Sequence, residues 1–229
     1  EGVDYDRWLG PAPLRPFNKN RFHGSWRMFR DYGGGLLVDW GVHLIDMGLW
    51  AMDVKSAPKS VQALGGNFAS TDRALEMPDT LTVLYEMDGY NMIWEHNGGV
   101  EQGPYEQGYG VKFIGSNGTL VADRDKWRIF PEEDGEALRM EEMETQLSDH
   151  KSHINHCENF IRAIRYGEKL NAEIEFGHRS ALYAHLGNIS YWAKNRVVYD
   201  EKSRKISSSP KADALLTPAY RAPWRFPKV

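Results

Sequence analysis

What this chain lacks narrows its function first. It has a single cysteine, Cys157, so an internal disulfide framework and a cysteine-based zinc site are both excluded, and the residue is expected as a buried small hydrophobe. No stretch reaches the roughly 18 consecutive apolar residues that a membrane-spanning helix needs, and Glu1 to Asp6 is acidic rather than a basic leader. Charge of one sign is nowhere gathered into a block: 28 basic residues face 32 acidic ones for a formal net charge of −4, so no nucleic-acid or membrane-surface footprint is expected. Neither G-x-G-x-x-G nor G-x-x-x-x-G-K-[ST] occurs, which leaves no recognisable cofactor-binding residues in this chain. The G-x-S-x-G elbow of serine hydrolases is missing too, as are internal repeats and low-complexity segments.

What is present is enough for a globular protein. A chain of 229 residues that is 41% hydrophobic can bury a sizeable core. Its eight tryptophans and eleven tyrosines serve core packing, and their faces also suit stacking on sugars and polyols.

One segment carries most of the chemistry. From the triplet Gly33-Gly34-Gly35 to about Met52 the spacing predicts one helix. At about 100° per residue, Asp39, His43, Asp46 and Trp50 share a narrow stripe on it. Gly41 and Gly48 stack on the far side, where another backbone can approach closely. Two accounts of the stripe stand side by side: a wet face with an Asp-His pair at i,i+4, or a cleft in which a carboxylate one turn from an imidazole prepares a general base. The stripe carries no lysine, arginine or glutamate, which favours the cleft.

Around this helix the chain divides into an arm, a body and a tail. Residues 1–32 read as an extended, proline-punctuated arm containing Arg7, Arg15, Arg21, Arg27 and Arg30. Residues 33–202 form the body. Period-two alternation over Thr80 to Met87, the turn Asp88-Gly89 and alternation back over Tyr90 to Asn97 predict a β-hairpin, whose second strand carries Trp94 and His96 toward a pocket. A second hairpin turns at Ser116-Asn117-Gly118, a further strand follows at Trp127 to Phe130, and a strand near Ser60 to Leu64 is expected in the same sheet. Glu132 to Glu144 reads as a solvated connector. A helix over His153 to Tyr166 should bury Ile154, Cys157, Phe160, Ile161 and Ile164 and end at a left-handed Gly167. A second, His178 to Asn195, places His178, Leu182, His185, Ile189 and Trp192 on one face. Residues 203–229 are expected as an irregular, aromatic tail that packs back on the body.

Two histidine sets weigh little. His150, His153 and His156 recur every third residue, but helical geometry turns the outer two about 120° apart, so no metal site is expected. His178 and His185 share a face with Leu182 and Ile189, and for His185 a hydrogen-bonded core position and a substrate contact are both compatible with that pattern.

The signature Gly33-Gly34-Gly35-x-Leu37-x-Asp39-x-Gly41-x-His43-x-x-Asp46 resembles the start of the C-terminal domain in the glucose-fructose oxidoreductase / inositol dehydrogenase / MocA (Gfo/Idh/MocA) family. The arm Trp8-Leu9-Gly10-Pro11-Ala12-Pro13-x-x-Pro16 is similar to a Bacteroidota-type branch of that family. So are Ile174-Glu175-x-Gly177-His178-x-Ser180, Ala184-His185-Leu186-Gly187-Asn188-Ile189 and Tyr220-Arg221-Ala222-Pro223-Trp224, and together these motifs span nearly the whole chain. The resemblance implies an α+β fold whose open, mainly antiparallel sheet carries helices on one face and pairs subunits through the other, giving a homo-oligomer. It implies NAD or NADP bound mainly by an N-terminal Rossmann domain that this chain does not contain. The family's Glu-Lys-Pro lysine belongs to that half as well, so the isolated chain is expected to be inactive. By the match, Asp39 and His43 are catalytic, with His43 taking the proton of a sugar or polyol hydroxyl. Asp46, Trp94, His96, Arg27 and His185 are candidate substrate contacts, and Asp46 equally suits support of its helix. Three functions remain open: an NAD(P)-dependent dehydrogenase acting on CH-OH groups, an NAD-dependent glycosidase-like enzyme, and a non-catalytic sugar-binding or oligomerisation module.

Overall fold

A computed structural model describes residues 2–103 and 107–227. The helices are α1 (Tyr5–Leu9), α2 (Gly35–Asp39), α3 (Gly41–Ala51), α4 (Ser152–Tyr166), α5 (Ile174–Ala193) and α6 (Pro210–Asp213). The strands are β1 (Ser60–Gly66), β2 (Thr80–Glu86), β3 (Asn91–Asn97), β4 (Val111–Ile114), β5 (Gly118–Ala122), β6 (Lys126–Pro131), β7 (Glu133–Asp134), β8 (Ala137–Leu138), β9 (Gln146–Leu147), β10 (Tyr199–Asp200) and β11 (Lys205–Ile206). Every strand pairing among the described residues is antiparallel, and the chain forms two compact units, residues 1–99 with 178–229 and residues 100–177. No described helix is long and apolar enough to cross a membrane.

In the first unit β1, β2 and β3 form a meander. Alternation sends Ala63, Val83 and Trp94 inward in one cross-strand row, and the outward row beside it holds Gln62, Leu84 and Ile93. The turn at Asp88-Gly89 forms as the dipeptide requires, with Gly89 at φ +83° and the Met87 amide donating to the Tyr90 carbonyl at 3.0 Å. Helices cover the inner face. The Tyr85 hydroxyl donates to the Tyr183 carbonyl of α5, and the Ala63 amide donates to Ser190 Oγ. A Cβ at Gly187 would lie 2.7 Å from Leu37 and 3.2 Å from Val83, so glycine is what lets α5 sit this close to α2 and β2. Leu37, Leu49, Val83 and Leu186 are fully buried here, each stabilising the fold by about 1.5–3 kcal/mol. The outer face keeps Leu64, Leu84 and Ile93 in solvent.

The arm is not extended throughout: α1 and the two 3-10 turns Lys19–Arg21 and His23–Met28 interrupt it. Asp4 caps α1 by accepting from the Arg7 amide. Trp8 contacts the rings of Tyr5, Phe22 and Tyr32, and this aromatic cluster replaces the regular hydrogen bonding that the prolines forbid. The tail is more ordered than its composition suggests, since β11 pairs with β10 and Ser209 caps α6. Arg221 then ties the tail to the arm, its guanidinium donating to the Asp6 carbonyl at 2.8 Å and its amide to the Pro11 carbonyl at 3.0 Å.

The second unit has its own sheet, in the order β4-β5-β6-β9. The strands expected in one sheet are therefore shared between two. The acidic stretch is exposed, as its charge demands, yet it folds locally: β7 and β8 pair across Gly135 at φ +66°. Helix α4 ends at Gly167 with φ +69°, whose amide donates to the Ala163 carbonyl at 3.0 Å. Its apolar stripe is not buried. Ile154, Cys157, Phe160, Ile161 and Ile164 are all exposed, because amphipathic spacing determines which side of a helix is apolar and says nothing about what covers it.

Candidate active site

The glycine triplet builds the site by close packing. The Gly33 amide donates to the Phe29 carbonyl at 2.8 Å, and a Cβ at Gly33 would stand 2.7 Å from the Arg27 carbonyl oxygen, so the chain folds back on the segment that carries Arg27. Gly34 lies against Val38 and Asn188, and its carbonyl accepts from Asn188 Nδ2 at 2.8 Å. Gly35 has φ +67° with Met77 against it, where a Cβ would lie 2.8 Å from that of Met77. All three positions face protein, so the triplet is not an open cradle for a phosphate and the dinucleotide does not fit there.

The helix expected to run unbroken from the triplet is two pieces. Helix α2 ends at Asp39 and α3 begins at Gly41, with Trp40 between them still at φ −83° and ψ −36°. Helical direction therefore passes through the junction. A Cβ at Gly41 would meet Leu37 at 3.1 Å and Trp94 at 3.5 Å, which is why the start of α3 can lie on the sheet.

Above this packed side stand the polar residues of the stripe. Asp39 accepts a hydrogen bond from Arg27 Nε at 3.1 Å, and both side chains are about half exposed. Arg27 is further placed by its guanidinium lying 4.6 Å from the centroid of the Trp26 ring. His43, one turn beyond Asp39, is exposed and its ring makes no hydrogen bond among the described residues. Asp39 thus pairs with Arg27 and, among the described residues, not with the imidazole. Asp46 turns inward to α5, accepting from the buried Ser180 hydroxyl at 2.6 Å. Trp40 and Trp50 present exposed indoles on the same helical segment.

The remaining candidates sit elsewhere. Trp94 is buried under α3 rather than lining an open pocket. Its Nε1 donates to His96 Nδ1 at 3.0 Å, so Nδ1 is unprotonated and Nε2 carries the hydrogen it donates to the Pro78 carbonyl at 3.2 Å. Both ring nitrogens are thereby occupied. Burial holds the His96 imidazole below its ordinary pKa, against the opposing pull of the Pro78 carbonyl and of Asp79. His185 on α5 keeps solvent-accessible surface, yet burial among its neighbours holds its imidazole below the ordinary pKa. His150 has φ +55° and precedes α4, so the three spaced histidines do not share a helix. Among the described residues no group of histidine, cysteine and carboxylates is placed to hold a metal ion.

Sequence reasoning did not reach Asp79. This buried carboxylate accepts from the amides of Phe68, Ala69 and Ser70 and from the Thr80 hydroxyl. Burial alone would raise its pKa, and those hydrogen bonds together outweigh burial and leave it below the ordinary value. Asp79 also receives the Gly98 backbone closely, which a Cβ would block at 2.9 Å. It shapes the loop entering β2. The only signal was its position just before a strand, after Pro78.

A family model described as the oxidoreductase family, C-terminal alpha/beta domain, of Gfo/Idh/MocA type, matches residues 1–226. Among curated proteins none matches the chain. Solved structures with a similar fold include a levoglucosan dehydrogenase in complex with NADH and levoglucosan, at TM-score 0.59 and 16% identity over 79% of this chain and 55% of that one. A protein of Desulfitobacterium hafniense provisionally described as an NADPH-dependent oxidoreductase gives TM-score 0.58 and 19% identity over 77% of this chain and 52% of its own. GenD2 from gentamicin A biosynthesis, in complex with NAD, gives TM-score 0.54 and 18% identity over 78% and 52%. The chain spans about half the length of these structures.

Proposed function

The chain belongs to the Gfo/Idh/MocA oxidoreductase family as its C-terminal alpha/beta domain, and from that premise we propose that it supplies the substrate-binding and proton-handling half of an NAD(P)-dependent dehydrogenase acting on a sugar or polyol hydroxyl. The observation that carries this reading is the pairing on one exposed helical face of an anchored carboxylate, Asp39, with an uncommitted imidazole, His43. A base must have a free nitrogen within reach of the hydroxyl it deprotonates, and His43 has one. Asp39, held at one oxygen by Arg27, can accept from a neighbouring hydroxyl and orient the carbon that loses hydride. Trp40 and Trp50 present exposed rings on the same helical segment, suited to the apolar face of a sugar. The levoglucosan complex of a similarly folded enzyme supports a carbohydrate substrate.

A bound nicotinamide would accept the hydride. The glycine triplet is spent on internal packing and offers no phosphate cradle, and we assign dinucleotide binding to a further domain of the same polypeptide. Proton removal and orientation are the work of this chain. Asp46, Trp94 and His96 serve the scaffold of the site rather than the substrate, each being engaged within the protein. The outer sheet face with Leu64, Leu84 and Ile93 supports assembly of copies through that surface, and the arm and tail motifs support the Bacteroidota-type branch.

The test is absorbance at about 340 nm, the nicotinamide signal, on the complete polypeptide carrying this chain, with NAD+ or NADP+ and a panel of sugars and polyols. Net reduction that disappears in His43→Ala supports the dehydrogenase. Glycoside cleavage without accumulation of reduced cofactor would replace it with the glycosidase-like reading, and sugar binding without either reaction would replace it with a binding module.

A further inference from the structure

We propose that Arg27 is a positioning residue that fixes the Asp39 carboxylate, and not a ligand of the substrate; the proposal rests on the site reading above. The two residues are twelve apart in sequence and meet only because the chain folds back at Gly33, against the backbone of Arg27 itself. The guanidinium is restrained on more than one side. Its Cζ lies 4.6 Å from the centroid of the Trp26 ring, its Nη1 points to the Gly24 carbonyl at 3.5 Å, and its Nε reaches Asp39 Oδ1 at 3.1 Å. A single bond through Nε orients a carboxylate without capping it, as a two-pronged guanidinium fork would. Asp39 Oδ2 has no partner among the described residues and is left for a substrate hydroxyl.

The consequence is kinetic. Without Arg27 the half-exposed Asp39 side chain is free to sample its other rotamers, and fewer encounters find its oxygen in the productive place. Loss of orientation lowers turnover, whereas loss of a substrate ligand weakens binding.

Two measurements test this on the complete polypeptide. The first is a crystal structure of Arg27→Ala, alone and soaked in guanidinium chloride below its unfolding concentration. Asp39 is expected in more than one orientation without the ion and in one orientation with it, the ion lying between Trp26 and Asp39. A single unchanged Asp39 orientation in Arg27→Ala would overturn the proposal whatever the substrate proves to be. The second is steady-state kinetics of Arg27→Ala and His43→Ala with NAD+ and the panel substrate that wild type turns over fastest. The expected result for Arg27→Ala is a kcat reduced by about 10- to 100-fold with KM nearly unchanged, restored by guanidinium ion when Trp26 is present and not in Trp26→Ala/Arg27→Ala. A raised KM at unchanged kcat would make Arg27 a substrate ligand and overturn the proposal. Full activity of Arg27→Ala beside an inactive His43→Ala would overturn the positioning role alone, and an active His43→Ala would overturn the site reading and the proposal together.

Discussion

The Ser180 hydroxyl of α5 donates to the Asp46 carboxylate of α3 at 2.6 Å, from a serine that is only 4% exposed. Two helices far apart in sequence are joined by this bond, and it removes from the signature stripe the acid nearest its middle. Charge-assisted hydrogen bonds of this kind contribute about 1.5–3 kcal/mol. Asp46→Ala should therefore lower the unfolding free energy of the chain by about 2 kcal/mol, measured by urea denaturation, and Ser180→Ala by a similar amount. The double variant should lose much less than the sum, because the two residues share one interaction.

The glycine triplet and a glycine of α5 should respond oppositely to alanine. Gly35 combines φ +67° with a Cβ position 2.8 Å from Met77, so Gly35→Ala should destabilise by about 2–4 kcal/mol through strain and overpacking. Gly177 lies within α5 with nothing near its Cβ position, and Gly177→Ala should stabilise by about 0.5–1 kcal/mol. Denaturation midpoints of the two variants against wild type check both signs.

Acid should act on the fold in two separate windows. The folded His96 imidazole titrates below its ordinary value because it is buried. As pH falls below about 6.5 the unfolded chain takes up a proton that the folded chain refuses, and stability declines until the folded pKa is passed. Asp79 is also depressed in the folded state, where burial is outweighed by its hydrogen bonds. Its contribution is complete above about 3.9, the value of an unfolded aspartate, and is lost as pH falls through the lower folded value. The stability of wild type relative to His96→Gln should drop between about pH 7 and 5, and that relative to Asp79→Asn should stay flat there and fall only under stronger acid.

The apolar stripe of α4 offers a check on burial itself. Ile161 and Ile164 are exposed, so Ile161→Ser and Ile164→Ser should each change the stability of the isolated chain by less than about 0.5 kcal/mol. If the stripe were core, each would cost several times more. Equilibrium unfolding separates the two cases.

How much of this was legible in the sequence follows the range of the interactions. The turn at Asp88-Gly89 and the cap at Gly167 were readable because each depends on a residue that tolerates positive φ at that very position. The helical spacing of Asp39, His43 and Asp46 was readable because it is local, but the division of the helix at Trp40 and the inward turn of Asp46 to Ser180 were not. Nor were the partners of those residues. Arg27 reaches Asp39 through a chain reversal, Ser180 reaches Asp46 across 134 positions, and His96 finds Pro78 across the turn of a strand pair. Pattern assigned Trp94 and His96 to a pocket because aromatic and imidazole side chains suit one. The geometry spends them on each other and on a backbone carbonyl. The division into two sheets was hidden for the same reason, since alternation identifies strands and is silent on which strands pair.

The measurement that bears most directly on the central claim is the rate of nicotinamide reduction by the complete polypeptide, with and without the His43 imidazole, at saturating NAD+ or NADP+ and sugar or polyol. If His43 is the base, His43→Ala should bind the sugar and stay folded while turnover falls by about 10³-fold. Turnover undiminished in a folded His43→Ala would contradict the account and place the proton acceptor elsewhere.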